Sequence, residues 1–105
     1  MVTVLARLTM LEGKEDEAVE HVRKMASAVE ANEPNALAYV CHRSLDNPLE
    51  IIFFEMYTDG DTLKAHNQTP HMGEFRARLT ELFDLSKVKI ERMERAGGFV
   101  RDDAG

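Results

Sequence analysis

The stretch from Phe53 to Phe75, FFEMYTDGDTLKAHNQTPHMGEF, is the part of the sequence that best predicts the fold and the functional site of this chain. It runs from an apolar strand into two short helical segments. Two of the four histidines, His66 and His71, fall within it together with Glu55. Because imidazole exchanges protons readily near neutral pH, this spacing indicates a site where one strand meets two helices.

The turn residues of this stretch predict where its helices begin and end. Asp59 is placed to cap a first helix, because its carboxylate can accept a backbone N–H of the opening turn. That helix is expected to stop before Pro70, since proline disfavours helical geometry in the residue before it. Thr69 then caps a second helix that begins at Pro70, and its predicted buried residues are Met72, Phe75, Leu79 and Leu82.

Hydrophobic patterns on either side predict the remaining elements. Apolar residues alternate over 2–11, follow a helical stripe over 14–32, and alternate again over 36–44, 50–57 and 87–94. The Asp46-Asn47-Pro48 turn makes the second and third strands a hairpin. The resulting β-α-β-β-α-β order predicts an α+β fold, with a ferredoxin-like antiparallel sheet and helices on one face. Residues 1–95 are expected to form this domain, and residues 96–105 a C-terminal tail.

The third strand, IIFFEMY, predicts a homodimer. Ile51 and Phe53 lie on one side of it, whereas Ile52 and Phe54 lie on the other, so both faces are largely apolar. The helices cover only one face of a sheet. The second face is therefore expected to pack against the same face of another copy.

Composition narrows the function classes. A net charge of −6, without a basic stretch, argues against nucleic-acid binding. No apolar run has transmembrane length, and Met1 leads directly into a strand pattern, so neither a membrane span nor a signal peptide is expected. The single cysteine, Cys41, excludes an internal disulfide framework and favours a cytoplasmic location.

In this element order, the strand end Glu55-Met56-Tyr57 and the block His66-Asn-Gln-Thr-Pro-His71 resemble the antibiotic biosynthesis monooxygenase family. The resemblance extends over residues 2 to 95. It implies a dimeric α+β barrel, and it implies oxygenases that act on quinols or polyphenols without metal or flavin. The same scaffold hosts haem-degrading enzymes and isomerases.

The chain has no tryptophan, on which the best-studied polyketide oxygenases and the haem-degrading branch rely. The resemblance is therefore to the quinol monooxygenase and autoinducer-processing branches.

Carried over onto matching positions, the resemblance makes Glu55, His66 and His71 the polar residues of a pocket. One histidine is expected to deprotonate a quinol hydroxyl, and Glu55 to orient that histidine. Neither a cofactor nor a metal is expected, since no HExxH-like spacing places two histidines on one helical face. The expected substrate-binding residues are Phe53, Tyr57, Met72, Phe75 and Arg43.

Structural readings of the same polar residues stay open beside this one. His66 is also suited to hydrogen-bond backbone carbonyl groups at the end of a helix, and His71 to a structural role at a helix N-terminus. Glu55 is also suited to form an ion pair with an arginine such as Arg7 or Arg43. His21, in the charged first helix, is expected to be solvated.

Two alternative functions also remain. The first is isomerisation of a small hydroxyketone, with or without a phosphate group that Arg7, Arg43 or Lys64 would hold. A cavity lined by such a cation favours this alternative. The second is a non-catalytic small-molecule-binding module, which a fully packed interior favours.

Overall fold

The computed structural model describes residues 1–101, in which a four-stranded antiparallel sheet is covered by helices on one face. The strands are β1 (Val2–Thr9), β2 (Ala36–Arg43), β3 (Glu50–Tyr57) and β4 (Lys89–Met93), in the spatial order β2-β3-β1-β4. This is the predicted ferredoxin-like α+β arrangement, and the fold class is confirmed.

Helix α1 (Glu15–Asn32) packs its apolar stripe onto the sheet. The stripe recurs at steps of three and four residues, which places its members on one helical face. These four residues are buried, as the sequence predicts: Ala18, Val22, Met25 and Val29. They join the core that Leu8, Ile51 and Phe53 contribute from the strands.

The second helical region consists of α2 (Gly60–His66), α3 (Pro70–Ala77) and α4 (Leu79–Leu82). Both predicted caps are present: an oxygen of Asp59 accepts the backbone N–H of Thr62 at 2.8 Å, and the Thr69 hydroxyl accepts that of Met72 at 3.3 Å.

Two boundaries in this part of the chain differ from the sequence prediction. The single helix expected over 70–82 is interrupted at Arg78, whose dihedral angles leave the helical region. Strand β4 begins at Lys89 instead of residue 87, because the Asp84 side chain accepts the backbone N–H of Ser86 and stabilises a 3₁₀ turn over Leu85–Lys87.

The register of the strands fixes which side chains share a face of the sheet. Val4 of β1 stands opposite Glu55 of β3 and Arg92 of β4, and Tyr39 of β2 stands opposite Glu55. The row Arg92–Val4–Glu55–Tyr39 therefore crosses the inner face, which the helices cover. The outer face carries Leu5, Val40, Ile52 and Phe54.

The predicted tail falls partly outside the described residues. Residues 96–101 belong to no helix or strand, and Phe99 and Val100 are exposed. Residues 102–105 lie outside the described part of the chain, so a boundary at residue 95 stays a prediction. Among the helices of residues 1–101, none has the length and apolar character needed to cross a bilayer.

Candidate active site

A cavity of about 390 Å³ lies between the inner face of the sheet and the helices α2, α3 and α4. Most of its lining is apolar, supplied by strands β1, β3 and β4 and by the helices. The polar side chains of the lining are Tyr39, Glu55, His66, Asn67, Arg76 and Arg92. An apolar cavity with a few convergent polar groups is the usual form of a small-molecule site.

His66, the last residue of α2, forms part of the cavity wall and is only 2% exposed. Its Nδ1 lies 2.8 Å from Oε1 of Glu33, and its Nε2 lies 3.9 Å from Oε1 of Glu55. Because a carboxylate only accepts hydrogen bonds, the hydrogen bond to ionised Glu33 places a proton on Nδ1. A neutral His66 then carries its lone pair on Nε2, which makes that atom a candidate base.

Glu33 holds both predicted histidines. It caps the C-terminus of α1 with non-helical angles of −125° and 78°, as expected for a residue before proline. One carboxylate oxygen accepts from His66, and the other lies 2.5 Å from Nε2 of His71. The orienting role that the resemblance implied for Glu55 thus has a second candidate, and one in direct hydrogen-bond contact with both rings.

Sequence reasoning missed Glu33, although one signal was available. The helix dipole disfavours a carboxylate at a helix C-terminus, and the last turn of α1 contains no basic residue. An acidic residue at such a position, directly before Pro34, needs a partner from elsewhere in the fold. The two histidines supply it.

Glu55 projects from β3 on the inner face and is 6% exposed. The Tyr57 hydroxyl donates a hydrogen bond to its Oε1 at 2.5 Å. Burial raises the pKa of the Glu55 carboxyl, while the hydrogen bond from Tyr57 and the nearby His66 act in the opposite direction. Glu55 is therefore hydrogen-bonded to Tyr57, and it does not pair with Arg7 or Arg43, the two arginines suggested by the sequence.

Those two arginines are engaged elsewhere. Arg7, on the outer face, lies 3.1 Å from a carboxylate oxygen of Glu50. Arg43 stands at the β2–β3 hairpin, where its Nε donates to the carbonyl oxygen of Pro48 at 2.7 Å. The structure does not bring Arg43, an expected substrate-binding residue, to the cavity lining. The guanidinium groups found there belong to Arg76 and Arg92.

Tyr39 is a cavity residue that sequence reasoning did not single out. Its ring packs 5.6 Å from the His66 ring, and it stands in the same row as Glu55. Burial, followed by the charge of Glu55, raises the pKa of its phenol, so the hydroxyl stays protonated and is a donor to a bound oxygen atom. Alternation alone marks it only as one more inner-face residue of a strand.

The other expected substrate-binding residues divide into two groups. Phe53, Met72 and Phe75 line the cavity. Tyr57 is fully buried and lies outside the cavity lining, where its hydroxyl supports Glu55. His71, an expected catalytic residue, does not line this cavity but a second depression on the surface.

That second depression is an open groove of about 800 Å³ between α1 and α3. His71 and His21 line it among charged residues of both helices. The sequence prediction that His21 is solvated is wrong. Its ring stacks on Phe75 with centroids 4.8 Å apart, and its Nε2 lies 3.0 Å from the Phe75 carbonyl oxygen. Within residues 1–101, no set of three or more His, Cys, Asp or Glu side chains is placed to hold a metal ion.

Comparisons with known proteins agree with this architecture. The model of the family described as antibiotic biosynthesis monooxygenase matches residues 1–78, a range that includes Glu33, Glu55, His66 and His71. A search of curated proteins found no significantly similar sequence.

Several solved structures share the fold. A crystal structure of an antibiotic biosynthesis monooxygenase superposes with a TM-score of 0.83 at 20% identity, covering 92% of this chain and 100% of that one. Rv0793 of Mycobacterium tuberculosis gives a TM-score of 0.80 at 23% identity, covering 99% of this chain and 98% of that one. PA3566 of Pseudomonas aeruginosa gives 0.83 at 22% identity, covering 91% of this chain and 94% of that one. At these identities the likeness shows the fold alone.

Proposed function

The chain belongs to the antibiotic biosynthesis monooxygenase family, and from that premise we propose that it is a cofactor-independent monooxygenase of a quinol or related small aromatic. One observation carries the proposal: a buried imidazole, His66, lies on the wall of an apolar cavity with its Nδ1 held by Glu33. That arrangement leaves Nε2 free to take a proton from a bound hydroxyl. A carboxylate behind the ring stabilises the imidazolium that forms.

In the proposed reaction, His66 removes the proton of an aromatic hydroxyl, and the resulting anion donates an electron to molecular oxygen. Recombination of the two radicals forms a carbon–oxygen bond and a peroxide, which takes up a proton from His66. Loss of water then leaves one oxygen atom in the product. For a hydroquinone, the substrate and O₂ give a hydroxyquinone and one water, so oxygen is the only oxidant.

The surroundings of His66 support this chemistry. Phe53, Met72 and Phe75 give the cavity apolar walls, which limit the access of water to a reactive intermediate. The protonated phenol of Tyr39 offers a hydrogen bond to a developing oxyanion. Glu55 stands 3.9 Å from Nε2 of His66, close enough to act on the same proton through a bound substrate or a water.

Oxygen uptake by chelator-treated protein tests the proposal, with hydroquinones and anthrone-like compounds as substrates and ¹⁸O₂ to label the product. We expect uptake that survives chelation and disappears in His66→Asn. His42→Asn, on the outer face of the sheet, is the control and keeps its uptake. No uptake with any compound contradicts the oxygenase, and full uptake by His66→Asn contradicts the assignment of the base.

A second candidate function is isomerisation of a small hydroxyketone, and the presence of Arg76 and Arg92 in the cavity lining favours it. The same Nε2 of His66 would move a proton between neighbouring carbon atoms without oxygen. Turnover of a hydroxyketone under anaerobic conditions, lost in His66→Asn, supports the isomerase over the oxygenase.

We also propose that the protein is a homodimer joined through the outer face of its sheet. Val40 is exposed there, and Leu5, Ile52 and Phe54 are partly exposed, so a second copy would bury a continuous apolar surface. Light scattering after size exclusion is expected to give twice the chain mass, and Phe54→Glu to give the single chain. A monomeric wild-type protein contradicts the dimer.

The single free thiol, at Cys41, supports a reducing cytoplasmic location.

A further inference from the structure

The charge of the cavity lining is opposite to the charge of the chain. The protein carries a net charge of −6, yet the cavity lining contains two guanidinium groups, from Arg76 and Arg92, and one carboxylate, from Glu55. That carboxylate is hydrogen-bonded to the Tyr57 hydroxyl. A site with this balance attracts an anion and opposes a cation.

The two arginines have donors to spare. Arg92 forms no ion pair or side-chain hydrogen bond within residues 1–101, and Arg76 uses one nitrogen, Nη1, to donate to the carbonyl oxygen of Asn67 at 2.9 Å. A guanidinium has five N–H donors arranged in a fork that matches the oxygens of a carboxylate or a phosphate. Both side chains therefore keep donors for a ligand.

The strand register sets the distance between this charge and the candidate base. Arg92 and Glu55 both stand opposite Val4, so they lie in one row on the inner face with a single strand between them. Two strand spacings amount to roughly 10 Å between their Cα atoms. An aromatic ring lying over Val4 spans this gap, with one substituent toward Arg92 and another toward Glu55 and His66.

We propose that the cavity binds a substrate that carries an anionic group, a carboxylate or a phosphate, held by Arg92 with Arg76, while the reactive hydroxyl is presented to His66. This inference rests on the proposed function in taking the cavity as the active site and His66 as the base. The alternative is that Arg92 is a solvated cation that protects the edge strand β4 from pairing, without any ligand.

Isothermal titration in a phosphate-free buffer tests the proposal with two matched pairs of probes. The first pair is 2,5-dihydroxybenzoate and its neutral methyl ester, and the second is dihydroxyacetone phosphate and dihydroxyacetone. We expect the anionic member of at least one pair to bind roughly tenfold or more tightly than its neutral partner, as a charge-assisted hydrogen bond provides. The pair that shows the preference distinguishes a carboxylated aromatic from a phosphorylated hydroxyketone.

Variants locate the effect. Arg92→Gln is expected to remove most of the preference for the anion, and Arg76→Gln part of it. Arg23→Gln is the matched control, since Arg23 is an exposed side chain of α1 outside the cavity, and its one ion pair among the described residues is with Glu20 at 3.9 Å. Circular dichroism verifies that each variant is folded.

Binding and turnover separate the two proposals. Equal affinity for charged and neutral probes, an unchanged preference in Arg92→Gln, or no binding of either anion at millimolar concentration overturns the anion site. Anion binding that depends on Arg92 without any oxygen uptake supports the anion site and contradicts the oxygenase. Oxygen uptake that is equally fast with 2,5-dihydroxybenzoate and its methyl ester, and is unaffected by Arg92→Gln, supports the oxygenase and contradicts the anion site.

Discussion

His66 and His71 hydrogen-bond to the two oxygens of one carboxylate, that of Glu33, yet they lie in different environments. His66 is 2% exposed and faces a cavity with mostly apolar walls. The His71 side chain is 15% exposed and faces an open groove whose lining is largely charged. Five positions apart in sequence, the two rings look equivalent, and only their surroundings distinguish them.

The difference follows from the Thr69–Pro70 break between the two helices. Helix α2 ends at His66, directly over the inner face of the sheet, whereas α3 restarts at Pro70 and turns His71 toward α1. The groups whose pKa is raised mainly by burial all stand on the inner face of the sheet: Tyr39, Cys41, Glu55 and Tyr57. Perturbed titration in a cleft is typical of a functional site, which is why the proposed base is His66.

The largest expected effect is on turnover. His66→Asn keeps a donor near Glu33 but removes Nε2, so it is expected to reduce turnover of a confirmed substrate by about 10²- to 10⁴-fold. His71→Gln keeps a donor at the position of Nε2 and is expected to cost less than about tenfold, because His71 does not face the cavity. Steady-state rates of the two variants, compared with the wild type, measure the difference. Equal losses would mean that both histidines act on the substrate.

The next effect is on stability and concerns the carboxylate between the two rings. Glu33→Gln leaves one acceptor oxygen for two histidine donors, so one largely buried N–H loses its partner at a cost of about 1–3 kcal/mol. Urea unfolding measures this loss. Glu17→Gln, on the open groove, is the control: the Glu17 side chain is 55% exposed and pairs with Lys14 and Arg78, and its loss is expected to cost less than about 1 kcal/mol. Similar losses of stability in Glu33→Gln and Glu17→Gln would show that the carboxylate between the two histidines stabilises the fold no more than an exposed one.

A pH-dependent effect is expected at Glu55. Burial raises the pKa of its carboxyl above the usual 4.5, so the folded state retains a proton that the unfolded chain has already released. The contribution of Glu55 to stability is therefore complete below pH 4.5 and declines as the pH rises through the folded-state pKa. Relative to Glu55→Gln, the wild-type protein is expected to lose stability over this interval. Urea unfolding at a series of pH values measures the difference, and a constant difference would contradict the raised pKa.

The smallest signal is expected from Cys41, on the same inner face of the sheet. Burial raises the pKa of its thiol to about 12, so almost no thiolate is present near pH 8. Iodoacetamide is expected to label the folded protein far more slowly than the same protein in urea, as followed by mass spectrometry. Equally rapid labelling of both forms would show that solvent reaches the cavity side of β2 freely.

Much of the fold was predictable because it depends on local signals. The limits of β3, the caps at Asp59 and Thr69, and the buried stripe of α1 all follow from alternation, turn chemistry and helical periodicity. The interruption at Arg78 and the late start of β4 were not predicted. Each involves a short segment of the chain, where helix, turn and strand differ little in intrinsic preference.

The site was predictable only in part. His66, Glu55 and the apolar residues Phe53, Met72 and Phe75 are all found at the cavity, because they belong to the strand and helices that the sequence identifies. Arg76 and Arg92 were overlooked because a charged residue on a short helix or an edge strand looks like ordinary solvated surface.

By itself, the sequence determined the element order, the buried faces of the strands and helices, and the family, since all of these depend on neighbours within a few residues along the chain. The tertiary structure decided which side chains contact each other. It brought Glu33 between two histidines more than thirty positions away, aligned Arg92 with Glu55 across β1, and turned His66 and His71 to opposite sides of one carboxylate. Hydrogen bonds and charges act over a few ångströms of space, and that proximity exists only after the sheet has set its register and the helices have packed on it.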